Sequence, residues 1–383
     1  MDIWNAKEKL WIDELWQKLD DKLQVVAERS RGKIPFQSED GMHVDMQQGS
    51  IQYWSINWWT NGFWPGLMWL MYAETHKEVY KETAKVGEEL LEPGLMRPER
   101  LSHDVGFVWK LASYPNLALT KNRKSWQRLR LAANHLMGRF NPIGEYIRAW
   151  DWGNSKSEKA GVTIIDTMMN LPLLFWASED AEDPRFRFVA MKHADKTMEN
   201  HVRADGSVKH IVVYDPYTGQ VLGEQAGQGY GVGSSWSRGQ AWAIYGFVIA
   251  YKYTKKQEYL DTAKKVAYYF IANVEKDWLP RCDFRSPDEP VYYDSSAGAC
   301  AACGLIELSK LLSWQEQELY LNAAIQLLKA LEHHFVDWSV KTDFILNNAT
   351  GSYEKDHHVN LIYADYFFVE AIYKLKGNEL SFW

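Results

Sequence analysis

Two aspartates stand where a carboxylate is costly to place. Asp104 lies in SHDVGF, at the start of an apolar run, and Asp166 lies in VTIIDTMMNLPLLFWA. A carboxylate among Ile164, Ile165, Met168 and Met169 loses hydration unless it is paired or protonated. Burial favours the neutral form, so the Asp166 pKa is expected to rise toward the range a general acid needs. Both positions also have a plainer explanation. Each sits near a helix start, where an aspartate caps free amides. Two carboxylates on neighbouring helices are the minimum set for glycoside chemistry.

The stretch Gln228 to Phe247, QGYGVGSSWSRGQAWAIYGF, changes character halfway. Its first part is rich in glycine and serine and reads as a loop. From Trp236 or Ser237 onward, Ala241, Ile244, Tyr245 and Val248 recur at helical spacing. Arg238, Gln240, Trp236 and Trp242 gather at the junction. Glycines let backbone approach a ligand closely. An arginine fork fits a carboxylate through two bonds, and indole faces suit sugar rings. The plainer alternative is a helix N-terminus with core tryptophans. His103 and His210 are isolated histidines, which are more often structural than catalytic.

Composition narrows the class of ligand. The chain has 383 residues, a net charge of −7, 19 Trp and 21 Tyr. That aromatic content exceeds what a core requires and suggests stacking surfaces for carbohydrate. Without a polybasic block, nucleic acid and anionic membrane are not expected partners. No metal or cofactor is expected either. The histidines lack ligand spacing, and GQGYGVG lacks the Lys-Ser/Thr of a phosphate loop. Cys300 and Cys303 form a single CxxC within a helix of small residues, which reads as tight packing. With Cys282 they make an odd number, against a disulfide framework. The amino-terminal segment has no apolar signal region, and no run approaches the ~18 apolar residues of a membrane span. A cytoplasmic protein, monomer or homodimer, is expected.

Helical periodicity dominates the elements that would hold these residues. Six expected helices are apolar nearly all round: Trp58–His76, His103–Ser113, Ile164–Ser178, Ser237–Thr254, Asp294–Leu312 and Val359–Leu375. They alternate with six of amphipathic type: Ile3–Glu28, Val79–Leu91, Ser125–Arg139, Pro184–Arg203, Gln257–Val274 and Glu316–Phe335. Helices buried all round are inner and those with one apolar stripe are outer. The expected fold is all-α, an (α/α)6 barrel in one domain, residues 1–383. Val208 to Val213 alternates like a strand between turn signals and reads as a β-hairpin in a loop. The long connections Asn141–Thr163, Gln220–Ser235, Asp277–Asp294 and Asp337–His358 each precede an inner helix and would rim one pocket.

The sum resembles the unsaturated glucuronyl hydrolases, glycoside hydrolase family 88. The resemblance is carried, in order, by WTNGFWPG (Trp59–Gly66), HDVGF (His103–Phe107), DTMMNLPLLFWA (Asp166–Ala177), SWSRGQAWAIYGF (Ser235–Phe247) and DSSAGACAACGLIEL (Asp294–Leu308). It implies an (α/α)6 barrel and removal of a 4,5-unsaturated uronic acid from lyase-generated oligosaccharides by hydration of the vinyl ether. It implies that Asp166 protonates C4 and then acts as base toward the water adding at C5. Asp104 would be the second essential carboxylate. His210 would lie beside the double bond. Gln228, Arg238 and Trp242 would belong with His103 to the sugar-binding set, with Arg238 meeting the uronate carboxylate. Trp59 and Trp150 would be stacking platforms, and Tyr353 a further contact.

The sequence departs from the family pattern after Tyr353. Some members carry a serine- and lysine-containing run there that binds a sulfate on the second sugar. Here the run is Glu354, Lys355, Asp356, His357 and His358. Little preference for sulfated disaccharides is therefore expected. Relative turnover of sulfated and unsulfated chondroitin disaccharides measures it, and a strong sulfate preference rules it out. The alternatives are an unsaturated rhamnogalacturonyl hydrolase on pectin fragments, a sugar 2-epimerase, and a non-catalytic carbohydrate-binding protein. Epimerases rely on paired histidines where this chain has aspartates. Binding alone does not require a carboxylate as buried as Asp166.

Overall fold

The structure is a computed structural model and describes residues 6–45, 56–151 and 160–383. Twelve α-helices have bounds among those residues. They are α1 Ala6–Arg29, α2 Phe63–Thr75, α3 Glu78–Leu91, α4 Val105–Thr120, α5 Arg123–Gly138 and α6 Leu171–Ala181, then α7 Pro184–Asn200, α8 Ser237–Thr254, α9 Gln257–Asn273, α10 Ser295–Ser309, α11 Trp314–Phe335 and α12 Ile362–Leu375. The expected start of the first helix at Ile3 lies outside the described residues.

Burial alternates along the chain as the apolar pattern requires. Every residue of α8 from Ser237 to Ala250 is buried, and so is the whole of α10. In contrast α9 buries only Tyr259, Leu260, Thr262, Ala263, Val266, Ala267, Tyr269 and Phe270, while much of its other face meets water. The even-numbered helices pack on one another in sequence, and α12 returns against α2 to close the ring. Its axis is filled by aromatic rings, including Phe63, Phe107, Trp242 and Phe367. Each such side chain contributes about 1.5–3 kcal/mol by leaving water. This is the (α/α)6 barrel.

The connections explain where a site can form. The even-numbered helices α2, α4, α6 and α8 end on left-handed residues, His76, Lys121, Glu182 and Lys255. Such caps satisfy terminal carbonyls and turn the chain sharply, so the next outer helix begins two residues on. The described parts of the returns are long: residues 30–45 and 56–62, 92–104, 139–151 and 160–170, 201–236, 274–294 and 336–361. They all enter the inner ring at the N-terminal ends of its helices. The fold thus places every long loop at one mouth.

The expected helix Ile164–Ser178 is three elements. Strand β1 spans Val162–Ile164, a 3-10 turn spans Ile165–Met169, and α6 starts at Leu171. The β-branched run Val162, Thr163, Ile164 and Ile165 favours a strand, and Pro172 suits the first turn of a helix. The expected hairpin belongs to a three-stranded antiparallel sheet. Its middle strand β2, Ile211–Tyr214, pairs with β1 on one side and with β3, Val221–Gln225, on the other. Helix α4 continues through Pro115 to Thr120 rather than ending at Ser113. Asn116 just beyond the proline bonds Glu88 at 2.7 Å and holds that turn in place. Among the described residues no helix is long and apolar enough to cross a membrane.

Candidate active site

Asp104 and Asp166 meet at this mouth, on the segments that lead into α4 and α6. Asp104 occupies the N-cap position but makes no capping bond with its side chain. Its Oδ2 instead accepts from Ser102 Oγ at 2.9 Å. Asp166 lies inside the 3-10 turn rather than at its cap. Both side chains keep some access from the mouth, with 19% and 12% exposure. His103 joins the two segments. Its Nδ1 bonds Thr167 Oγ1 at 2.8 Å, and its Nε2 lies 3.3 Å from Asp104 Oδ1. Burial pushes its pKa down to about 3, so the ring is neutral.

The two carboxyls are shifted in opposite directions. Burial, reinforced by the charge of Asp166, pushes Asp104 up to about 7, against the opposing pull of Ser102, Arg139 and Asn170. Burial also pushes Asp166 upward, but the hydrogen bond from His210 and the charge of Arg238 oppose it, and the carboxylate is held below its usual range. The expectation of a raised Asp166 is therefore corrected: the proton of the resting pair resides mainly on Asp104. The pair titrates as one coupled unit.

His210 sits just before β2, with its Nε2 3.4 Å from Asp166 Oδ2. Its Nδ1 accepts the backbone N–H of Gln228 at 2.9 Å. An accepting Nδ1 leaves the ring proton of the neutral tautomer on Nε2, toward Asp166. The ring lies 4.4 Å from that of Trp236. Gly227 makes this contact possible. Its φ is +59°, and a Cβ there would fall 2.0 Å from His210 Nδ1.

Arg238 does not offer its fork to the mouth. It is fully buried, with Nη1 on Asp294 Oδ2 at 2.5 Å and on the Thr350 carbonyl at 2.6 Å. Its Nη2 donates to the Gly351 carbonyl at 2.7 Å. Nη1 and Nη2 are bonded within the protein, while the buried Nε has no hydrogen-bond partner among the described residues, so in this arrangement the Nη1–Nη2 fork is not the group that would meet a uronate carboxylate. Gln228 reaches the same turn, donating to the Gly351 carbonyl at 2.6 Å, and its own carbonyl accepts from Tyr353 N–H at 2.9 Å. Arg238 therefore anchors the turn on which Gln228 and Tyr353 rest.

The aromatic candidates divide. Trp59 is half-buried and packs on Phe63, Phe107 and Tyr363. Trp242 is fully buried behind it, edge-on at 6.5 Å, so it supports Trp59 and presents no face of its own. Trp150 is half-buried against the three-stranded sheet. Tyr353 lies beside Tyr230 and Tyr292 on the opposite rim. Sequence reasoning gave no role to Ser102, Thr167, Asn170, Gly227 or Asp294. Asp294 and Asn170 lay inside quoted motifs, but nothing in their type revealed their partners.

An inner ring of helices with two coupled carboxyls at its mouth fits an α/α-barrel glycoside hydrolase. No protein-family model matches the chain. Over 327 residues it is 36% identical to the unsaturated glucuronyl hydrolase of Bacillus sp. (strain GL1), covering 83% of this chain and 86% of that one. It is 30% identical to an unsaturated chondroitin disaccharide hydrolase of Streptococcus pyogenes serotype M1, over 83% and 81% of the two chains. The crystal structure of the Bacillus sp. GL1 enzyme matches with a TM-score of 0.87 at 32% identity, over 94% of this chain and 97% of that one. An unsaturated glucuronyl hydrolase specific for heparin matches at 0.85 with 28% identity, over 96% and 100%. The chain belongs to the unsaturated glucuronyl hydrolase family.

Proposed function

We propose that this enzyme removes the 4,5-unsaturated uronic acid from the non-reducing end of glycosaminoglycan disaccharides and short oligosaccharides. The observation that carries the reading is the coupled pair Asp104 and Asp166, with the Nε2 of His210 turned to Asp166. Asp166 delivers a proton to C4, and water adds at C5 as Asp166 takes back a proton. The hemiketal so formed opens, and the glycosidic bond is lost. In the resting enzyme the proton sits on Asp104. A uronate carboxylate arriving beside Asp166 raises that group electrostatically, so the proton moves to it on binding. Trp59 and Trp150 are the stacking faces. Gln228 and Tyr353 complete the contacts, while His103, Arg238 and Trp242, all fully buried, act from behind them. Loss of the double-bond absorbance of an unsaturated disaccharide tests the reading.

Two further outcomes are expected. The free pair holds one proton below pH ~7 and loses it above, since the Asp104 pKa is about 7. Because kcat/KM reports the free enzyme, it should fall as pH rises through that value. A pH–rate profile still climbing above pH 8 is incompatible with this assignment. Gly227→Ala should turn the His210 ring out of place and lower kcat by roughly 10²-fold, the scale of an ångström-size displacement. Initial rates alongside circular dichroism separate this from loss of fold, and near-normal rates would show that His210 does not need its present orientation.

Two other readings complete the proposal. Residues 1–383 are read as one domain, because α1 packs on both α3 and α12 and so belongs to the barrel. A reducing, cytoplasmic setting is supported by Cys282, Cys300 and Cys303, all buried and unpaired.

A further inference from the structure

Asn170 is fully buried between the two segments that carry the aspartates. Its Oδ1 accepts the N–H of Phe107 at 2.8 Å, an amide in the first turn of α4 that has no partner within the helix. Its Nδ2 donates to the main-chain carbonyl of Asp166 at 3.2 Å. Its own N–H closes the 3-10 turn onto the Thr167 carbonyl at 2.9 Å. The approach is close because residue 106 is glycine. A Cβ there would fall 2.5 Å from Asn170 Oδ1 and 2.6 Å from Asn170 Cα. One side chain thus ties the Asp104 segment to the Asp166 segment at two points.

We propose that Asn170 is a positioning residue for the carboxylate pair, fixing the separation at which Asp104 and Asp166 exchange a proton. This rests on the reading of those two aspartates as the working groups. Asn170 touches neither the sugar nor the water; it acts through the backbone of both segments. Its amide also favours the ionised form of Asp104. Its removal therefore alters the proton distribution as well as the distance.

The test is the pH dependence of kcat and kcat/KM for Asn170→Ala and Asn170→Asp on an unsaturated disaccharide, with thermal melts in parallel. The aspartate variant is isosteric and keeps the acceptor for Phe107, but it removes the donor and adds a buried carboxylate, so it should move the limb further up than the alanine variant does. Expected is a fall in kcat of about 10–10²-fold with KM within about threefold. The alkaline limb of kcat/KM should move to higher pH, because the group that favoured ionised Asp104 is gone. A purely structural role would lower the active fraction and leave the limb where it was. Folded variants with wild-type kcat and an unmoved limb overturn the proposal while the wild type remains active. A wild type that leaves the double bond intact overturns the functional reading, and this inference with it.

Discussion

Asp166→Asn is expected to lower kcat by roughly 10²–10⁴-fold, the usual contribution of a positioned acid–base group. The change keeps the shape of the side chain and its contact with His210 Nε2, 3.4 Å away in the native protein. What it removes is the ability to gain and lose a proton. KM should change little, since the sugar contacts come from other residues. A second signature accompanies the loss. The Asp166 charge is one of the causes that raise Asp104. Without it, Asp104 should ionise at lower pH, and any residual activity should fall off at lower pH than in the wild type. Steady-state kinetics across pH, with a melt to confirm folding, reads both effects. Retention of more than about a tenth of the activity is inconsistent with proton transfer by this group.

Arg238→Met should have the largest effect on stability, about 3–5 kcal/mol. Arg238 and Asp294 are both fully buried and bonded at 2.5 Å. Removing the cation leaves the Asp294 charge without its partner in a dry site, and such a charge is far costlier than the pair is beneficial. The Thr350 carbonyl loses its donor at the same time, and the Gly351 carbonyl keeps only Gln228. Urea unfolding of Arg238→Met, Asp294→Asn and the double variant would measure the coupling. The double variant should recover part of the loss, because no stranded charge remains. A loss below about 1 kcal/mol in the single variant, the range of exposed ion pairs, would mean that the pair is not desolvated as described.

The barrel was legible because its signal is repeated and local. Helix α8 begins at Ser237 and ends at Thr254, as the glycine-rich loop and the apolar run after it indicate. The segment around Asp166 was misread because a short apolar run does not separate strand from helix. Pairing with Ile211 to Val213, far along the chain, decides it. Asp104 and Asp166 were singled out because a carboxylate in apolar company stands out in any sequence. Their charge states were not, since burial can be inferred locally but the groups that lower Asp166, His210 and Arg238, come from other segments. Arg238 shows the same limit. Its type announces a carboxylate partner, and the structure supplies one from within the protein through a single Nη1 bond, Asp294 at the start of α10. Gly227 and Asn170 carry no chemistry of their own, so only the distances around them reveal what they do.

The most direct test follows the ultraviolet absorbance of the double bond with unsaturated chondroitin, hyaluronan and heparin disaccharides, for wild type and Asp166→Asn. The expected result is loss of the signal with wild-type enzyme on at least one of them, and little or none with the variant. A folded wild-type protein that leaves the signal unchanged on all three would contradict the proposed activity.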